Sequence, residues 1–201
     1  MKKRFNIAIQ MDPLEKINPN EDSTFVIAKE AQDRGYKIFH YLPKDISLKN
    51  NKIIARGSYF KIVNSSKKFF KHGKAQSINL NNFHCVLIRQ DPPFNMEYIT
   101  ATYFLEMLNK KVIVINNPSE IRNNPEKLSM FKFKNIIPQT LISENIKEIE
   151  NFIKKYQYTI LKPMYGNGGE GIEKVKRGSL KNKKIINKMI KKYKGAIIAQ
   201  K

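Results

Sequence analysis

The stretch from Phe5 to Pro43 constrains the fold more than any other part of the sequence. Phe5, Ile7, Ile9 and Met11 alternate with polar or small neighbours, the period-two signature of a strand, and Asp12-Pro13 ends it. Asp22-Ser23 then offers N-cap oxygens to a helix expected from about Thr24 to Arg34, with Gly35 as its left-handed stop. A second strand is predicted from Tyr36 to Leu42, closed by Pro43. Strand, helix and strand in this order favour a parallel pair joined by a crossover helix. The expected fold class is therefore α/β.

Further on, Ile53 to Ala55 and Tyr59 to Val63 bracket Arg56-Gly57-Ser58 and suggest a hairpin. Lys67 to Gln76 reads as an exposed loop or short helix. Phe83 to Ile88 is a buried strand running into Arg89-Gln90-Asp91-Pro92-Pro93-Phe94, where two prolines stop regular structure. A helix is expected over Met96–Leu108, a buried strand over Val112–Ile115, and a helix capped by Ser119. Composition shifts near Ile136 to Thr140, a candidate domain boundary. Beyond it come a helix with the stripe Ile146, Ile149, Phe152, Ile153 and Tyr156, strands at 158–162 and 173–176, a helix at 187–193 and an apolar strand at 196–200.

Charge is the most conspicuous bulk property. Lys and Arg number 38 against 17 Asp and Glu, a net charge of +21 over 201 residues. A disordered acidic chain and a collagen-like or disulfide-stapled fold are excluded. Two readings of the charge stay open: a surface for polyanions, or genome base bias. Only 6 of the basic residues are Arg, the residue favoured for phosphate forks, while Lys, Asn and Ile, with A/T-rich codons, abound. Residues 174–201 carry eleven of the cations and no acid. A lone cysteine, Cys85, points to a reducing compartment. No window reaches the roughly 18 apolar residues of a membrane helix, and the basic N-terminus lacks a signal-peptide core. A cytoplasmic protein is expected, with no membrane and no specific nucleic-acid partner.

Three motifs can carry chemistry. From Ile160 to Ile172 a strand ending in Lys162 enters a loop with glycines at 166, 168, 169 and 171. Such a loop can turn successive N–H groups toward phosphate oxygens, with the lysine as a point charge; an ordinary hairpin loop is the alternative. It fits neither the P-loop nor the dinucleotide fingerprint. Arg89 and Asp91 follow a buried strand, where ligands of open α/β sheets sit; Arg89 can clamp a carboxylate, or merely pair with Asp91. Asp12 occupies the analogous place after the first strand. Lys127, near a helix start, has the surface position of a solvated lysine. His40, His72 and His84 lack metal-ligand spacing, and Cys85 reads as core.

Together these segments resemble prokaryotic glutathione synthetase, an ATP-grasp ligase. The resemblance runs from Met11-Asp12-Pro13 with Asp22-Ser23, through Ala31 to Tyr36, Arg89 to Phe94 with Tyr98 to Tyr103, Asn117-Pro118 and Arg122 to Leu128, to Pro138 to Leu141 and Ile160 to Gly171. It implies a pre-ATP-grasp parallel-sheet domain over residues 1–124 and the first part of an ATP-grasp domain over 125–201. It further implies ATP-dependent joining of γ-glutamylcysteine and glycine through an acyl phosphate. Lys127, Lys162, Gly166, Asn167, Gly168, Gly169 and Gln200 would contact ATP, and Arg89, Asp91 and Asp12 the substrate. Family chains continue past the point matched by Lys201, so the Mg²⁺ ligands are expected beyond residue 201. The expected chain is inactive alone, its last strand unpaired, and the complete protein is a candidate homo-oligomer. Two alternatives are another ATP-grasp carboxylate–amine ligase and a basic nucleic-acid-binding protein.

Overall fold

The computed structural model describes residues 4–63, 69–166 and 168–201. They form two compact units: one reaches Asp91 and resumes over Asn95–Asn123, and the other comprises Pro92–Phe94 with Asn124–Lys201. The division falls a dozen or so residues before the composition shift at 136–140. Each unit has its own sheet and core.

The first unit opens with β1 (Asn6–Gln10), α1 (Ser23–Asp33) and β2 (Lys37–Lys49), with β1 parallel to β2. The α1 cap is Asp22, whose Oδ1 accepts from the Thr24 and Phe25 amides at 2.6 and 3.0 Å, satisfying N–H groups that the first helical turn leaves without partners. Then come β3 (Lys52–Ile62), β4 (Phe70–His72), β5 (Gln76–Asn79), β6 (Cys85–Ile88), α2 (Met96–Glu106), β7 (Ile113–Ile115) and α3 (Pro118–Asn123). The strand order is β4-β3-β2-β1-β6-β7, with β5 also on β3. Alternation along the strands builds two cores. Ala8, Phe39, Tyr41 and Val86 pack with Leu105 of α2 on one face; Ile9, Ile38 and Phe60 pack with Ala28 and Ala31 of α1 on the other.

Several expectations change. Pro43 does not close β2: the pairing slips between Tyr41 and Ile46, and in such an irregularity a residue without an N–H costs no ladder bond. The expected hairpin at 56–58 is a single strand, β3; the turn is Asn50-Asn51, both at positive φ (48° and 58°), a conformation that asparagine tolerates. Gly57 lies inside the strand because a Cβ there would come 2.0 Å from the His40 carbonyl oxygen. The segment expected as loop or short helix holds β4 and the start of β5, while residues 64–68 lie outside the described part. β7 is an edge strand with Ile113 and Ile115 61% and 49% exposed, not a buried one. Asn117, not Ser119, caps α3, accepting from the amides of Ser119 and Glu120.

The second unit contains α4 (Glu126–Ser129), β8 (Thr140–Ser143), α5 (Ile146–Lys155), β9 (Tyr158–Pro163), β10 (Glu173–Lys176), α6 (Asn182–Tyr193) and β11 (Ile197–Gln200). Its antiparallel sheet runs β10-β9-β11-β8. The final strand is thus paired on both sides and buried throughout, the reverse of the unpaired edge expected from its position in the sequence. Leu161, Val175, Ile197 and Ala199 face Ile149 and Ile153 of α5 and Ile186 and Met189 of α6. α6 starts at Asn182, earlier than expected; its lysine-rich first turn masks the stripe that begins with buried Asn182 and Ile186.

Candidate functional site

In the first unit, β2 lies on one side of β1 and β6 on the other. Their carboxyl ends therefore flank the point where the sheet's winding direction reverses, the usual ligand crevice of an open α/β sheet. A cavity of about 420 Å³ opens there, lined among others by Asp12, Ser23, Thr24, Arg89 and Asp91. Arg89 does not spend its guanidinium on Asp91: Nε donates to Thr24 Oγ1 at 3.0 Å and Nη2 to Ser23 Oγ at 2.7 Å. Two hydroxyls at the α1 start thus fix the plane of the cation. The Asp91 amide donates to Asp12 Oδ2 at 2.7 Å, which draws the two loops together. Partial desolvation raises the Asp91 carboxyl above its ordinary pKa, helped by Asp12 and Asp22 and opposed by Arg89. Behind the crevice, His40 Nε2 lies 3.1 Å from the Asp12 carbonyl oxygen, and burial lowers its pKa.

In the second unit, pairing of Ile198 with Lys162 and of Gln200 with Ile160 and Thr140 puts Thr140, Gln200 and Lys162 on one sheet face. This face is opposite the α5–α6 core. Lys162 Nζ donates to Gln200 Oε1 at 2.6 Å, and Gln200 Nε2 donates to Thr140 Oγ1 at 3.0 Å. Lys127, in α4, is not a solvated surface lysine: its Nζ donates to the carbonyl oxygens of Pro163 at 2.8 Å and Gly166 at 3.1 Å. Desolvation lowers its pKa; the Lys162 charge adds to this and Glu126 opposes it. Two lysines close enough to repel one another, with no acid bonded to either among the described residues, make a cationic site suited to phosphate oxygens.

The loop after β9 supplies the open side. Gly168 and Gly169 have φ of 59° and 77°, and a Cβ on either would meet nothing within 4 Å, so their backbone is accessible to a ligand. Gly171 differs: a Cβ there would lie 1.9 Å from Tyr193 Oη, so this glycine serves packing. The Tyr165 ring lies tilted by 33° against Phe94, with centroids 6.3 Å apart. Asn167 lies outside the described residues.

Of the residues singled out in the sequence, Asp12, Arg89 and Asp91 converge in the first unit, and Lys127, Lys162, Gly166 and Gln200 in the second. Sequence reasoning missed Ser23 and Thr24 as orienting groups, and gave Thr140 no role beyond its place in the matching stretch Pro138 to Leu141. Ser23 and Thr24 carry a cap signal that hides the second role, while Thr140 opens a strand in Pro-Gln-Thr-Leu, whose residues alone do not point to a ligand. Among the described residues no three His, Cys, Asp or Glu side chains are grouped to hold a metal ion, and no helix is long and apolar enough to cross a membrane. Cys85 is half-buried, and burial pushes its thiol pKa up.

The glutathione synthetase of Agrobacterium fabrum is 41% identical to the chain over 172 residues, covering 86% of this chain and 54% of that protein. That of Buchnera aphidicola subsp. Baizongia pistaciae is 39% identical over 188 residues, covering 92% and 58%. The chain spans a little over half the length of these curated relatives. The crystal structure of the RimK domain protein ATP-grasp from Sphaerobacter thermophilus aligns with a TM-score of 0.58 at 14% identity, over 98% of this chain and 63% of that one; at that identity it supports the fold. Residues 5–122 match the N-terminal domain of prokaryotic glutathione synthetase and residues 126–201 its ATP-grasp domain. With both matches in order, the chain belongs to the prokaryotic glutathione synthetase family.

Proposed function

We propose that the chain forms the substrate-side domain, residues 1–124, and the first part of the ATP-grasp domain, residues 125–201, of an ATP-dependent ligase that joins γ-glutamylcysteine to glycine. The observation that carries this reading is the cationic pair Lys127 and Lys162, with Lys127 bonded to the base of the loop whose Gly168 and Gly169 backbone is open. In the reaction, the cysteinyl carboxylate takes the γ-phosphoryl group of ATP and ADP leaves. The glycine amine then attacks the acyl carbon, the C–O bond to phosphate breaks, and the amine loses its proton. Lys127, Lys162 and the amides of the 166–169 loop, Asn167 included, neutralise the charge on the transferring oxygens. Gln200 holds Lys162 in place at the nucleotide. Closure of the loop keeps water from the acyl phosphate.

Arg89, pinned by Ser23 and Thr24, binds a substrate carboxylate, with Asp12 and Asp91 shaping the same crevice. Mg²⁺, which this reading implies beside the phosphates, finds no three-ligand cluster among the described residues; within residues 1–201 the phosphate charge is met by cationic side chains and backbone amides. The reaction takes place in the cytoplasm, with small molecules as partners. Calorimetric titration with ATP tests the nucleotide half. Saturable binding should weaken about tenfold or more in Lys162→Ala, the scale of one lost charged contact. No binding by the parent protein, or equal binding by the variant, overturns the assignment.

A further inference from the structure

We infer that Thr140 is a positioning residue for Lys162, acting through the Gln200 amide. Its purpose rests on the proposed nucleotide site; its geometry does not. Three hydrogen bonds run in series: Lys162 Nζ to Gln200 Oε1 (2.6 Å), Gln200 Nε2 to Thr140 Oγ1 (3.0 Å), and Thr140 Oγ1 to the Pro138 carbonyl oxygen (2.8 Å). Each link fixes the polarity of the next. The Pro138 carbonyl only accepts, so the Thr140 hydroxyl must spend its one proton on it and can only accept from Gln200. Gln200 must then present Nε2 to Thr140 and Oε1 to Lys162, the one arrangement an ammonium, which only donates, can use.

Gln200 is 8% exposed, so water cannot readily replace either partner, and a buried amide end left unpaired is costly. The ammonium thus keeps one N–H on Gln200 and, among the described residues, has two left for a ligand. Without an acceptor at position 140, the amide loses the contact that sets its direction. Turned over, it faces Lys162 with a donor.

Thr140→Val removes the hydroxyl but keeps the β-branched shape that suits a strand; Thr140→Ser keeps the hydroxyl. The ligand-free readout is solvent exchange of the Lys162 ammonium protons, followed by ¹H–¹⁵N correlation on the whole chain, with thermal unfolding confirming that each variant is folded. Exchange should be at least about threefold faster in Thr140→Val and parent-like in Thr140→Ser. In parallel, ATP affinity should fall about tenfold in the valine variant and stay within about twofold in the serine variant. Unchanged Lys162 exchange in Thr140→Val, or equal loss in Thr140→Ser, overturns the inference. If the exchange result holds but the parent binds no ATP, Thr140 still positions Lys162 and the nucleotide reading is what falls.

Discussion

Replacing Lys127 with Met should loosen the glycine loop selectively. The methionine keeps the length and apolar stem of the side chain and deletes only the ammonium. That ammonium ties α4 to the loop through Pro163 and Gly166 at 2.8 and 3.1 Å. Two charge-assisted bonds have a gross worth of about 3 kcal/mol or more. Against this stand desolvation of Lys127 and repulsion from Lys162, the two causes that lower its pKa. Both are relieved in the variant, so the net loss should be nearer to about 1.4 kcal/mol, a tenfold change in the local opening equilibrium. Tyr165, 54% exposed within the loop, provides a chymotrypsin site. Where opening and closing are fast relative to cleavage, the cleavage rate follows the open population. Cleavage after Tyr165 should therefore be about tenfold faster, with the thermal midpoint almost unchanged. An unchanged cleavage rate, or equal acceleration at sites throughout the chain, would refute the tether.

Two glycines of the same loop should separate by their surroundings. Gly168→Ala should cost about 1–2 kcal/mol, the left-handed backbone penalty alone, because its Cβ meets nothing; Gly171→Ala should cost distinctly more in a urea titration, because it must displace Tyr193. Asp91→Asn should raise the melting temperature at pH 7 and leave it unchanged near pH 3. Asp91 has a raised folded-state pKa, so its stabilising contribution is present at low pH and lost as pH rises through that value. At neutral pH the substitution removes a charge that is partly desolvated and repelled by Asp12 and Asp22. The gain should stay below about 1 kcal/mol because the site is open to water, and an equal gain at both pH values would contradict the cause assigned.

Much of the fold was legible wherever burial imposes a period. α1, α5 and β9 have one face against a core, β1 and β6 have a core on each face, and their apolar residues show it. Legibility failed where a residue's meaning depends on what lies across the sheet. Gly57 reads as a turn until the His40 carbonyl is seen against it. Ile113 to Ile115 reads as core until β7 proves to be an edge. The last strand reads as unpaired because the sequence does not reveal that β11 inserts between β9 and β8. The site divides in the same way. Lys162 and the glycines carry a local pattern, and Arg89 stands at a strand end. Thr140 and Thr24 reach the two sites through hydrogen bonds to residues 60 and 65 positions away, which no local pattern contains.

The most direct test of the central claim, that the second unit is a nucleotide phosphate site, is a crystal structure of the protein with a non-hydrolysable ATP analogue. The phosphate oxygens should lie within hydrogen-bond distance of Lys162 Nζ and of the Gly168 and Gly169 amides, with Lys127 released from at least one of the Pro163 and Gly166 carbonyls toward them. Phosphates bound elsewhere, with the Lys162–Gln200 and Lys127–loop bonds unaltered, would contradict it.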